Sequence, residues 1–196
     1  MAEIEKLKIL AQTIDKYYKE LAMANYCKNC EYNCCRGGIW LCYSEEKELA
    51  KTINIHESYF IDNFSRVNKN ESMKLINDLP CPYYNSSIGK NCFIYDKRPL
   101  VCRLIPVDLI RIKDPKNKRY FWVLKKYCLL YRKSYGTAQF DEITKTLRKM
   151  TNELNEYIDD EFILYFDRAS DIYFLDDVSE NTLYENDEYI LLNEVR

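Results

Sequence analysis

Apolar residues along the first two dozen positions recur at intervals of three and four. Ile4, Leu7, Leu10 or Ala11, Ile14, Tyr17 or Tyr18 and Leu21 form one stripe with charges between them, the period of an amphipathic helix. The spacing predicts a helix over residues 2–24, ending around Asn25. Phe140, Ile143, Leu147, Met150, Leu154 and Tyr157 repeat the pattern, so a second long helix is expected from Ala138 to about Tyr157. Between the two the pattern shortens. Ile39 to Tyr43 is a brief apolar run, read as a bridge or short strand. Ser44 has N-cap chemistry, and Glu45 and Glu46 suit the first turn of a helix reaching about Ile53. Another helix is expected from Glu57 to Val67, with Tyr59, Phe60 and Phe64 on one side, while Asn68 to Asp78 is polar and less defined.

Pro80, Pro82, Pro99 and Pro106 exclude a continuous helix through that stretch, which reads as loops with short ordered pieces. Val107 to Lys113 and Tyr120 to Lys126 alternate apolar and polar positions around Asp114-Pro115-Lys116-Asn117-Lys118, a β-hairpin signal. After Asp159, the apolar pieces Phe162 to Phe166, Ile172 to Leu175 and Tyr189 to Leu192 fit strands or helical turns equally.

Composition adds bounds. At 196 residues and 23.6 kDa the chain suits one domain with a real core. Its 47% hydrophobic and 31% charged residues are ordinary for a soluble protein. Four glycines are too few for phosphate-cradling loops. No run approaches the roughly 18–20 apolar residues of a membrane span, and Met1 to Lys6 mixes acids with bases, unlike a signal peptide. A cytoplasmic protein with no membrane partner is expected.

Charge is unevenly spread. Lys90 to Lys133 holds 13 basic and 3 acidic residues, a net of +10, whereas Asp159 to Arg196 holds 12 acidic and 2 basic, a net of −10. The basic block alone would point to nucleic acid, with Tyr120, Phe121 and Trp122 available for stacking. An equal acidic block on the same chain favours mutual neutralisation instead.

The densest chemistry lies in nine cysteines. Cys27, Cys30, Cys34 and Cys35 fall within nine positions, and Cys81, Cys92 and Cys102 follow, each beside a proline or an arginine apart from Cys92, which opens the run to Arg98-Pro99. In a reducing compartment such clusters are metal ligands more often than disulfides. Cys27 and Cys30 form a C-x-x-C pair, whose thiolates reach one metal from a tight turn. His56 is the single histidine, so a four-ligand site is nearly all thiolate, suiting zinc or an iron–sulfur cluster. Eight cysteines in two groups (Cys27, Cys30, Cys34, Cys35 and Cys81, Cys92, Cys102, Cys128) would fill two tetrahedral sites. Cys42, beside Trp40 and Leu41, reads as a small core residue, and the same reading competes for Cys128. Arg36, Arg98 and Arg103 sit beside the cysteines, where guanidinium groups offset thiolate charge.

The segment Cys92-Phe93-Ile94-Tyr95-Asp96-Lys97-Arg98-Pro99-Leu100-Val101-Cys102-Arg103-Leu104-Ile105-Pro106, with Cys27 to Cys35 and Cys81-Pro82-Tyr83, resembles the cysteine-cluster (CxxCxxCC) zinc- or iron-chelating domains. Ile39 to Glu48 is similar to that family's short strand and acidic helix. The resemblance covers about residues 25–130. One departure is that three residues separate Cys30 from Cys34, where the family has two. The resemblance implies a metal-chelating domain and a distant kinship with flagellin lysine N-methylases.

The expected architecture is α+β and mainly helical: amphipathic helices around a cysteine-rich metal centre, with a small β-hairpin, in one domain over 1–196. The cysteine region spans about 25–130, and the C-terminal helix and acidic segment span 138–196. The first functional reading is a metal-binding protein whose zinc or iron–sulfur centre is mainly structural or serves metal or redox handling. An enzyme using that centre, lysine N-methyltransferase-like or redox, is the alternative, and a nucleic-acid-binding module ranks third.

Overall fold

The computed structural model describes residues 3–29, 39–41, 45–52, 54, 66–67, 74–76, 83, 92, 94–112, 119–160, 162–163 and 189–195. The helices are α1 (Glu3–Glu20), α2 (Met23–Lys28), α3 (Glu45–Thr52), α4 (Leu100–Leu104), α5 (Leu129–Ser134) and α6 (Ala138–Asn155). The strands are β1 (Ile39–Leu41), β2 (Arg66–Val67), β3 (Lys74–Ile76), β4 (Val107–Ile112), β5 (Arg119–Lys125) and β6 (Tyr189–Glu194). They form two antiparallel three-stranded sheets, in the orders β1-β3-β2 and β4-β5-β6. The architecture is α+β and mainly helical, as the periodicity predicts.

The chain divides into two compact units. One comprises residues 1–11 and 27–105, the other residues 12–26 and 106–196.

In the first unit, Leu41, Leu49, Ala50, Tyr83 and Ile94 form a buried cluster, with Cys92 and Cys102 packed against it. Leu41 ends β1, and Leu49 and Ala50 lie on α3, matching the short strand and acidic helix expected over 39–53. The helix expected over Glu57 to Val67 ends differently. Arg66 and Val67 pair with Leu75 and Lys74 as strand β2, where a partner strand satisfies backbone groups that a helix would otherwise pair internally. The rest of that expectation, and the Ser44 cap, lie outside the described residues.

The second unit is built on the hairpin. Observed strands 107–112 and 119–125 lie within one residue of the expected ones. β6 adds to β5, with an irregularity between Trp122 and Val123. Of the apolar pieces past Asp159, the last is therefore a strand, while Ile163 N–H bonds the Asp159 carbonyl at 3.0 Å in a helical turn. Residues Phe121, Trp122, Val123 and Leu124 are all buried, so both faces of β5 are covered and strict alternation does not hold. Ile110, Phe121 and Val123 form one cluster, joined by Tyr189 and Leu191 of β6. Trp122, fully buried, donates its indole N–H to Asn155 Oδ1 of α6 at 2.7 Å. Ile143, Leu147, Met150 and Leu154 are the buried stripe of α6, the residues whose spacing announces that helix. Phe121 and Trp122 are thus core residues, which removes them as stacking platforms for nucleic acid.

The acidic and basic segments meet in this sheet. Arg119 Nε and Glu194 Oε1 are 2.8 Å apart, and β6 pairs directly with β5. Lys125 and Asp108 form a second, less exposed pair. Burial by itself lowers the pKa of Lys125, but the Asp108 carboxylate and Tyr127 outweigh it and hold the ammonium above its usual range.

One long helix over 2–24 is expected, and the structure breaks it. Leu21 N–H still bonds the Tyr17 carbonyl at 3.0 Å, but Ala22 N–H turns to Lys19 at 3.1 Å, the tightening common at helix ends. Ala22 then takes φ +49°, a left-handed geometry that ends helices. α2 starts afresh, so Cys27 sits in the last turn of a short helix rather than in a loop.

Candidate metal centre

Four of the eight candidate ligands are described: Cys27, Cys92, Cys102 and Cys128. None of the four is in a disulfide. Cys30, Cys34, Cys35 and Cys81, and also Cys42, lie outside the described residues. Among the described residues no group of three or more His, Cys, Asp or Glu side chains gathers as a complete metal site.

The first unit contains Cys27, Cys92 and Cys102. Cys92 and Cys102 are half-buried against the same hydrophobic cluster, although ten positions separate them in the chain. The turn between them explains how. Tyr95–Lys97 is a single 3₁₀ turn, closed by Lys97 N–H on the Ile94 carbonyl at 2.7 Å. Arg98 follows at φ −59°, ψ 146°, the extended region that a following proline imposes. Pro99 then opens α4, which carries Cys102 and Arg103.

Arg103 holds this turn shut. It is 8% exposed, and its guanidinium donates to the Arg98 carbonyl from Nε at 2.7 Å and to the Asp96 carbonyl from Nη2 at 2.6 Å. Sequence proximity places Arg103 as a counter-charge to thiolate; these bonds give it a positioning role, since it satisfies two carbonyls of an irregular loop. Arg98 donates Nε to the Tyr95 carbonyl at 2.8 Å and lies over the Tyr95 ring, 3.9 Å from its centroid.

α4 starts after a proline, which offers no side-chain acceptor for the helix N-terminus. Glu45 supplies one from α3: its Oε1 accepts the Leu100 N–H at 2.6 Å, and the residue is 4% exposed. A carboxylate at a helix start also meets the positive end of the backbone dipoles. The sequence marks Glu45 only as a first-turn acid of its own helix. Its service to a helix 55 positions later has no local signature.

The sulfur environments are partly defined. Burial pushes the Cys92 thiol up, while the Ile94 N–H bonded to it and the nearby Arg98 charge pull it down. Burial likewise raises the Tyr95 hydroxyl; Arg98 opposes this, and a hydrogen bond with Cys27 adds to it. Hydrogen-bond donors and a guanidinium close to sulfur are what a thiolate centre requires. The residues present therefore fit a thiolate-bound metal.

Cys128 belongs to the second unit, at the N-cap of α5. Its N–H bonds the Lys125 carbonyl at 3.2 Å and its own carbonyl receives Arg132 N–H at 3.0 Å.

The family follows from the sequence match: the model of the CxxCxxCC family, described as "putative zinc- or iron-chelating domain", matches residues 26–129. The chain belongs to that family, and metal binding is its family property. No curated protein and no solved structure matches the chain. No helix among the described residues is long and apolar enough to cross a membrane.

Proposed function

We propose that this chain binds zinc or an iron–sulfur cluster through cysteine thiolates, and that the centre is mainly structural or serves metal or redox handling. Cys27, Cys92 and Cys102 are the described ligands of this reading; Cys30, Cys34, Cys35 and Cys81 supply the remainder. Cys128 is the eighth, to be decided by its own variant. The observation that carries the proposal is the packing of Cys92 and Cys102 on one cluster, with the intervening turn pinned by Arg103. A loop that needed only to cover a core would not require two carbonyls and a helix start to be held by buried charges.

Metal analysis of anaerobically purified protein tests it. Stoichiometric zinc in a colourless protein assigns a zinc site, and a brown protein holding iron and acid-labile sulfide assigns a cluster. Cys102→Ser is expected to lose metal, and Cys128→Ser retains full stoichiometry if Cys128 is only a cap residue. Metal-free protein that folds normally, with Cys27→Ser and Cys102→Ser both neutral for stability, would overturn the proposal.

A further inference from the structure

We infer that a cleft where α1 gives way to α2, lined on its other side by α6, binds a small aliphatic diamine. The cleft lies wholly within the second unit, and no cysteine lines it.

The break at Ala22 shapes one wall. α1 ends at Glu20, Ala22 takes φ +49°, and α2 restarts at Met23, so this wall is a helix junction rather than a continuous helical face. Ile143 and Thr146, about one turn apart on α6, belong to the other wall. Gln139 Nε2 of α6 donates to the Tyr26 hydroxyl of α2 at 3.5 Å and links the two sides. The enclosed volume is about 450 Å³, within the range of small-molecule sites.

Two features specify what would fill it. Glu20 and Glu142 both line the cleft, and none of the described residues lining it is basic. Lys145 approaches Glu142 at 3.8 Å with both side chains exposed, while Glu20 has no ion pair among the described residues. The second feature is Thr146. It is 9% exposed, and its hydroxyl has no hydrogen-bond partner among the described residues. Thr144 and Thr151 of the same helix, by contrast, bond carbonyls of the preceding turn. A buried hydroxyl left without a partner is uncommon, and a ligand that bonds it accounts for it.

A diamine meets both demands. An ammonium carries three N–H donors, enough for one carboxylate and for the Thr146 hydroxyl, which accepts. A methylene stem covers Leu21 and Ile143 on the cleft walls, and the second ammonium serves the other carboxylate. A bare metal ion would leave the apolar surface and most of the volume unused.

Isothermal titration of the full-length protein with butane-1,4-diamine at low salt provides the test. One saturable site is expected, and butane-1,4-diol, with the same stem and no charge, should not bind. Thr146→Val removes the hydroxyl at similar volume and should weaken binding about 10-fold; Thr146→Ser restores a hydroxyl and should recover it. Glu20→Gln with Glu142→Gln should abolish the saturable heat. Glu156→Gln with Asp160→Asn removes the same charge at exposed positions outside the cleft, and should leave affinity unchanged. No saturable binding in the wild type, or wild-type affinity in Thr146→Val or in the Glu20 and Glu142 pair, would overturn the inference. So would a Thr146→Ser protein as weak as Thr146→Val, which would reduce the residue to packing. Equal losses in the two charge-removing pairs would overturn it as well, because they would mark a general attraction of cations to acidic surface.

Discussion

The two units reach order by different means. In the second, a sheet whose central strand is buried on both faces meets a long helix with a regular apolar stripe, and Trp122, Leu109, Leu124, Leu147 and Met150 are all fully or almost fully buried. In the first, the described order is short: three strands of two or three residues, an eight-residue helix and a five-residue helix. Its irregular turn is held by Glu45 and Arg103 rather than by a ladder. Among the described residues, one unit is organised by apolar burial and the other by polar restraints beside cysteines. An unpaired buried charge is costly, so those restraints are informative about what they position.

The largest effect of a single substitution is expected in the second unit. Trp122→Ala removes a fully buried indole and the partner of Asn155, and should cost about 3–5 kcal/mol in denaturant unfolding followed by circular dichroism. Metal content of the folded fraction should be unchanged, because Cys27, Cys92 and Cys102 belong to the other unit. Parallel loss of metal at concentrations of denaturant below the unfolding transition would break the comparison.

Glu45→Ala sharpens it from the other side. The variant leaves the Leu100 N–H without its carboxylate and should cost roughly 1.5–3 kcal/mol, expressed as weaker metal retention and faster amide exchange in α4. The second unit should melt as in the wild type. A Glu45→Ala protein that retains metal against chelator as well as wild type would remove the staple from the account.

How much was legible in advance follows the same division. The stripe of α6, the hairpin and the cysteine segment with its family resemblance are all short-range patterns, and they appear within a residue or two of where they are expected. The interruption of α1 at Ala22 was not legible, because apolar spacing continues through the break. β6 was ambiguous because an apolar run of four residues carries no period, and its identity comes from pairing with β5. Glu45 was visible as an acid and invisible as a cap, since its partner is remote. Arg103 stands in plain view beside Cys102, but only the fold shows its guanidinium on the Asp96 and Arg98 carbonyls.

The smallest expected effect concerns acid. Hydrogen bonds from Lys16 and Tyr17 hold the Glu153 carboxyl below its ordinary range, and Arg119 does the same for Glu194. Their folded values lie below the unfolded ones, so both carboxylates contribute stability above the ordinary carboxylate pKa. That contribution is lost as pH falls through the folded values. The melting temperature of the second unit should therefore decline slightly between about pH 5 and pH 3, less at high salt because the pairs are exposed. Glu153→Gln should flatten part of the decline; a variant with the wild-type slope would assign the effect elsewhere.

The most direct test of the central claim is hydrogen exchange on the full chain, metal-loaded and after chelation. Structural zinc contributes roughly 10–16 kcal/mol in small modules, far more than any one contact discussed above. The account predicts that chelation releases protection in α3, the 95–98 turn and α4, while β4, β5, β6 and α6 stay protected. Unchanged protection in α3 and α4 after complete metal removal would contradict it.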